Sequence, residues 1–250
     1  MPRYDFRTPR LYVEAPLAPS AKIALEPAQT HYLLNVLRLR PGDAVLVFNG
    51  RDGEWRCVLA NSGKRAVNLT AETQTRVQTC GTDLHYWFAP LKHARLDYMV
   101  QKAVELGVSR LQPVITRHTQ VARVNIERMC ANAIEAAEQC GILTLPEIGE
   151  PLDLDRALHQ LESSRLLVFC DESAEQSNPV AALTAIRANK SSPPVAVLIG
   201  PEGGFGEQER SALLRRPNVV RLLLGPRIMR SDTAAVAALS LVQAVLGDWR

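Results

Sequence analysis

The rhythm of apolar and polar positions changes once along the chain. Early on it is short and alternating, in Ala44-Val-Leu-Val-Phe48, Glu54-Trp-Arg-Cys-Val-Leu59 and Ala66-Val-Asn-Leu-Thr70, with Asn49-Gly-Arg-Asp-Gly53 between the first two. Period-two runs separated by a Gly/Asn/Asp turn predict a strand, a tight turn and a returning strand. One helix is predicted over 28–37. Residues 1–72 therefore read as a small β-rich domain of barrel type. The polar stretch that follows has no clear period and predicts a linker over 73–83.

From residue 84 onward helix and strand patterns alternate. Residues 84–89 and 111–115 are strand-like, while Leu96, Met99, Val100, Ala103 and Val104 recur at helical spacing. Such alternation predicts an α/β domain over 84–250 with a mostly parallel sheet. The alanine-rich run 233–246 predicts a helix buried on more than one side, with Ser231-Asp232 as its N-cap.

Two apolar runs of the last quarter, 195–199 and 219–224, predict buried strands. Each stops at a glycine-proline turn: Gly200-Pro-Glu-Gly-Gly-Phe205 after the first and Gly225-Pro-Arg-Ile-Met-Arg-Ser-Asp-Thr233 after the second. Two such turns at one sheet edge would enclose a backbone-lined pocket. No lysine and hydroxyl follow the glycines as a P-loop requires, and the three spaced glycines of a dinucleotide fingerprint are missing. The expected ligand is held by backbone amides and carbonyls without a phosphate cradle, as an adenosine bearing a sulfonium would be.

These turns closely resemble the two cofactor loops of the RsmE family of ribosomal RNA methyltransferases, in the SPOUT superfamily. Leu37-Arg-Leu-Arg-Pro-Gly-Asp43, Gln101-Lys-Ala-Val-Glu-Leu-Gly-Val108 and Glu135-Ala-Ala-Glu-Gln-Cys140 resemble that family in the same order. The resemblance implies a C-terminal SPOUT domain with a trefoil knot, an N-terminal PUA-like RNA-binding domain and a homodimer. It also implies S-adenosylmethionine as cofactor and N3 of a uridine in 16S rRNA of the small subunit as target. Ile142 stands where the family has arginine, and Met229-Arg-Ser-Asp-Thr233 replaces Leu-Arg-Thr-Glu-Thr, keeping a hydroxyl and a carboxylate.

For such a reaction the expected cofactor-binding residues are Leu198, Ile199, Gly200, Pro201, Glu202, Gly203, Leu224, Gly225, Ile228, Met229, Ser231 and Ala234. The glycines would let backbone approach adenine and ribose, and the aliphatic residues would pack on adenine. Loss of the N3 proton leaves negative charge on the base. Arg230 is the first catalytic candidate for stabilising that charge, with a salt bridge to Glu202 or Asp232 as its alternative. Arg10 is the second, with plain phosphate binding as its alternative. Glu202 would accept from a ribose hydroxyl or serve as proton acceptor.

Composition refines this picture. The chain has 250 residues, 46% of them hydrophobic, enough for a substantial core. No run long enough for a bilayer is present, and the N-terminus lacks the apolar core of a signal peptide, so a cytoplasmic location is expected. The five cysteines form no Cys-x-x-Cys pair, which predicts reduced, mostly buried thiols and no metal site. The net charge of +3 conceals an asymmetry, because residues 129–182 carry −8 and the rest +11. A basic face for RNA follows, with Arg3, Arg7, Arg10, Arg38, Arg40, Lys92 and Arg95 as phosphate-contact candidates. The competing readings are a methyltransferase of this fold acting on a tRNA or a ribose 2′-oxygen, and a non-catalytic assembly factor.

Overall fold

The computed structural model describes residues 5–61, 67–121, 123–175, 178–187 and 193–249. Two compact units partition the chain, one of Met1–Cys80 with Ala137–Leu145 and the other of Gly81–Ala136 with Pro146–Arg250.

The first unit contains β1 (Arg10–Tyr12), β2 (Lys22–Ala24), α1 (Pro27–His31), which continues as a π-helical turn over Tyr32–Val36, β3 (Ala44–Phe48), β4 (Glu54–Asn61) and β5 (Val67–Arg76). Its sheet runs β1-β3-β4-β5-β2, with β1 parallel to β3 and the other pairs antiparallel. The predicted hairpin is present. Asn49 Oδ1 accepts from the N–H groups of Arg51 and Asp52, which closes the turn locally. Gly53, at φ +78°, is required, since a Cβ there would lie 2.2 Å from the Arg76 carbonyl. Alternate residues point to one core: Val45 and Val47, then Trp55, Cys57 and Leu59, then Leu69 and Ala71. β5 continues to Arg76, so the first part of the polar stretch expected as linker is strand. Its side chains are polar because they lie beyond the core, and a ladder needs only backbone.

The end of a helix from the later sequence, with the turn after it, belongs to this unit. Glu138 accepts from the Tyr12 N–H at 2.8 Å, Arg76 donates to the Gly141 carbonyl at 2.8 Å, and Gln78 donates to Leu143.

The second unit is built on a seven-stranded sheet. Its strands are β6 (Leu84–Phe88), β7 (Arg110–Ile115), β8 (Glu147–Ile148), β9 (Leu152–Asp153), β10 (Leu166–Cys170), β11 (Val195–Ile199) and β12 (Val219–Leu222). The order is β12-β10-β11-β6-β7-β8, with β9 beside the far end of β7, and every pair is parallel. The helices are α2 (His93–Glu105), α3 (Ile126–Cys140), α4 (Leu154–Gln160), α5 (Pro179–Arg187), α6 (Glu207–Leu214) and α7 (Ser231–Val245). Ala196 and Leu198 of β11 face a core shared with Leu158 of α4 and Leu213 of α6. On the sheet's other side α7 packs against β11, α2 and α5. None of the described helices is long and apolar enough to cross a membrane.

Two local expectations are corrected. α7 begins two residues earlier than predicted, with Arg230 as its N-cap residue and no side-chain cap. Ser231 is drawn away because its hydroxyl bonds elsewhere, as described below. The cysteines are also less buried than expected: Cys57 is buried, but Cys80, Cys130 and Cys140 are exposed. Cys130 and Cys140 lie on α3, where helical rotation leaves one face outward while Met129, Ala133 and Ala137 fill the core.

Candidate functional site

A cavity of about 430 Å³ opens at the carboxyl ends of β10, β11 and β12. That is where open parallel sheets bind ligands, because the strands end there and their loops diverge. Its three walls are the end of β10 with 171–173, the β11 loop over 199–205 and the β12 loop over 222–229. Ser231 and Ala234 of α7 close one end and Arg210 of α6 contributes at another.

The β11 loop is folded back on itself by its glycines. A Cβ on Gly200 would sit 2.5 Å from the Phe205 ring, and one on Gly203 would sit 3.1 Å from the His118 Cβ. Both glycines thus make room for side chains of the protein while their backbone still lines the cavity. Phe205 then meets Phe169 edge to face, centroids 5.1 Å apart, which fixes the loop on the end of β10. Gly225 differs: its φ of +111° demands glycine, and nothing lies within 4 Å of a Cβ there. The Ser231 hydroxyl donates to the Gly200 carbonyl at 3.0 Å, joining the first turn of α7 to the β11 loop.

The β12 loop carries the binding capacity. Among the described residues, the backbone N–H and C=O groups of 223–229 make no hydrogen bond. Unpaired backbone groups beside Ile199, Leu222, Leu224 and Met229 form the mixed apolar and hydrogen-bonding surface that an adenosine-like ligand needs. The Arg210 Nε, also at the cavity, is buried without a partner. The residues present fit an S-adenosylmethionine-type cofactor.

Eleven of the twelve expected cofactor residues line this cavity: Ile199, Gly200, Pro201, Glu202, Gly203, Leu224, Gly225, Ile228, Met229, Ser231 and Ala234. Leu198 does not, because strand alternation turns it into the core against α4 and α6. Ile228 lies at the cavity but is 91% exposed, so it sits at the mouth.

The catalytic candidates separate. Arg230 is exposed, directly between Met229 and Ser231 of the cavity wall, and makes no ion pair among the described residues. Its expected alternative partner Glu202 is bound by Arg95 instead, at 2.5 Å. Arg10 lies elsewhere in function. Its side chain is 3% exposed, its Nε donates to Glu54 at 2.9 Å and its Nη2 to the Asp5 carbonyl. Burial is the largest single influence on Glu54 and would raise its pKa, but hydrogen bonds from Arg76, Thr75 and Arg10 hold the carboxyl below its ordinary value. Arg10 is therefore spent on a buried ion pair, which corrects both its catalytic and its phosphate-binding assignment.

Of the other phosphate candidates, Arg7, Arg38, Arg40 and Lys92 are exposed and Arg95 is half-buried, while Arg3 lies outside the described residues. Lys92 and Arg95 come together on a second, smaller cavity.

Sequence reasoning missed the third wall. Leu166-Leu-Val-Phe-Cys170 followed by Asp171-Glu172 is another apolar run ending in polar residues at the same edge, a signal equal to that of β12 without a glycine. Asp171 accepts from Arg221 at 2.8 Å, from Arg210 at 3.1 Å and from the Ser173 N–H. Burial alone would raise its pKa, yet these three bonds together lower it, so the wall is held by an ionised carboxylate. Burial also pushes the neighbouring Cys170 thiol up to about 12, which keeps it protonated near neutral pH.

Comparison with known proteins agrees with this geometry. The family model of an RNA methyltransferase domain matches residues 79–243, and that of an RNA methyltransferase PUA domain matches 25–72. Ribosomal RNA small subunit methyltransferase E of Rickettsia conorii is 31% identical over 94% of both chains, and that of Bacillus subtilis 26% over 97% and 96%. A Legionella pneumophila methyltransferase solved with bound SAM is 29% identical, covers 97% of this chain and 99% of its own, and superposes with a TM-score of 0.84. Ribosomal RNA small subunit methyltransferase E of Neisseria gonorrhoeae, bound to S-adenosyl methionine, is 26% identical over 98% and 100%, also with a TM-score of 0.84. With its fold, its β11 and β12 loops and full-length relatives in agreement, the chain belongs to the ribosomal RNA small subunit methyltransferase E family.

Proposed function

We propose that this enzyme transfers the methyl group of S-adenosylmethionine to N3 of a uridine in 16S rRNA. The observation that carries the reading is the cavity at the carboxyl edge of β10, β11 and β12, walled by a loop whose backbone groups over 223–229 are unpaired. When bound, the cofactor supplies an electrophilic methyl carbon on a sulfonium.

The chain's own residues position the reactants. Ile199, Leu224 and Met229 would pack on the adenine, while the free amides and carbonyls of the β12 loop would read its edge and the ribose. Glu202 at the cavity wall is an acceptor for a ribose hydroxyl. Arg230, at the N-cap of α7 and without an anionic partner among the described residues, binds a uracil carbonyl oxygen as the N3 proton leaves to water and stabilises the charge that develops. No residue need form a covalent bond to the base, because the bound cofactor would supply the electrophilic carbon and the chain need only align it with N3 and let the N3 proton pass to water. The enzyme works as a homodimer, with the knot of its superfamily.

Two measurements test this reading. Calorimetric titration with S-adenosylmethionine should give one saturable site per chain. Nucleosides from the 16S rRNA of a deletion strain should lack 3-methyluridine, and loss of a 2′-O-methylated nucleoside with 3-methyluridine intact would reject the N3 assignment.

A further inference from the structure

A second cavity, of about 220 Å³, lies beside the first and shares Pro201 and Glu202 with it. Its remaining lining includes Leu91, Lys92, Arg95, His118, Gln120 and Val121. All of these belong to the second unit. We infer that this cavity is the subsite for the target nucleotide, with its base turned out of the RNA and its phosphate held at Lys92. The inference rests on the methyltransferase reading and gives that reading a place for its second substrate.

Three observations carry it. The first is the shared wall. A base must come within bonding distance of the methyl carbon, and only a chamber adjoining the cofactor cavity allows that. Glu202 and Pro201 belong to both chambers, so an occupant of one borders an occupant of the other.

The second observation is charge. Among the described residues Glu202 is the sole carboxylate on the lining, and it is already paired with Arg95 at 2.5 Å. One net positive charge remains, on exposed Lys92, which matches a single phosphodiester. An incoming phosphate also competes with Glu202 for Arg95, so nucleotide entry would loosen the pair on the cofactor's wall.

The third is the mixture of surfaces. Leu91, Val121, Pro90 and Pro201 offer apolar faces for a flat ring, while the Gln120 amide offers both a donor and an acceptor to a base edge. The His118 ring is steadied by its Nδ1, 3.3 Å from the Gly204 carbonyl, and by its close approach to Gly203. Gly203 and Gly204 of the β11 loop therefore bring a wall of the second chamber against the first.

Methyl transfer from labelled S-adenosylmethionine to small ribosomal subunits lacking the modification tests the inference. Two full-length variants are compared with wild type, Lys92→Ala and Val121→Trp. Both should bind S-adenosylmethionine within about twofold of wild type by calorimetry, because neither residue lines the first cavity. Lys92→Ala should raise the KM for subunits and reduce the slope of log affinity against log salt by about 1, as loss of one phosphate contact does. Val121→Trp should fill the chamber and lower kcat about a hundredfold or more while the salt slope stays at its wild-type value. Wild-type KM, kcat and salt slope in both variants would overturn the inference. Failure of the wild-type protein to bind cofactor or to methylate subunits would instead overturn the function on which it rests. Should Val121→Trp fail to fold, the salt slope of the surface variant Lys92→Ala decides alone.

Discussion

Ser231 donates its hydroxyl to the carbonyl of Gly200 at 3.0 Å, a bond between residues 31 positions apart that ties the start of α7 to the loop after β11. The loops after β11 and β12 are thereby held as one wall of the cavity. Ser231 could have capped its own helix and instead spends its side chain on this link.

Ser231→Ala should lower affinity for S-adenosylmethionine roughly fivefold, from the loss of about 1 kcal/mol of net hydrogen bonding. Calorimetry at constant pH measures it. A wild-type affinity would mean that the two loops are held together by packing alone.

Gly200→Ala should be more damaging. The added methyl would meet the Phe205 ring at 2.5 Å and must displace it from Phe169, at a cost of about 1–3 kcal/mol for overpacking. Thermal unfolding should show a lowered Tm, and cofactor binding should weaken in parallel. Phe205→Leu in the same background should restore part of both.

Arg230→Ala should reduce turnover by about a hundredfold or more while cofactor affinity stays near wild type, the pattern for a donor used mainly in the transition state. Single-turnover methylation of small subunits, read beside calorimetry, separates the two. Unchanged turnover would remove Arg230 from the chemistry.

Glu54→Gln should destabilise the first unit by about 3–5 kcal/mol, because Arg10 would be left buried without a counter-charge. Chemical denaturation checks the magnitude. The folded-state pKa of Glu54 lies below its ordinary value, so its contribution is present above the unfolded-state pKa and is lost as pH falls through the depressed folded value.

His85 on β6 carries a signature at milder pH. Burial, helped by the charge of Arg165, drops its imidazole to about 4. Between the unfolded value of about 6.5 and that figure, the unfolded chain takes up a proton that the folded chain refuses. Stability should therefore fall as pH drops from about 6.5 towards 4, and His85→Gln should flatten that part of the profile. Urea midpoints across this range measure the difference.

Much of this was legible in the sequence for identifiable reasons. β11 is all aliphatic and bounded by proline and glycine, and its predicted limits 195–199 match the structure. The strand predicted over 219–224 stops at Leu222, because Leu223 and Leu224 are apolar for the cavity's sake and periodicity cannot tell a ligand wall from a core. Leu198 failed as a cofactor residue for the converse reason: neighbours on a strand face opposite ways, so only one of Leu198 and Ile199 can reach the cavity. Arg10 was misread because nothing in the neighbouring residues Leu11-Tyr-Val13 signals a buried partner. Its partner Glu54 lies 44 residues away, and only the strand pairing that places β3 between β1 and β4 brings them together. Asp171 escaped notice likewise, since its value lies in arginines 39 and 50 residues distant.

The return of 137–145 to the first unit has a practical consequence for anyone dissecting the molecule. A fragment ending at residue 80 would lose the Glu138 carboxylate that satisfies the Tyr12 amide and the Gly141 carbonyl that anchors Arg76. The first unit is discontinuous along the chain, and excising it intact would require grafting a late segment back onto an early one.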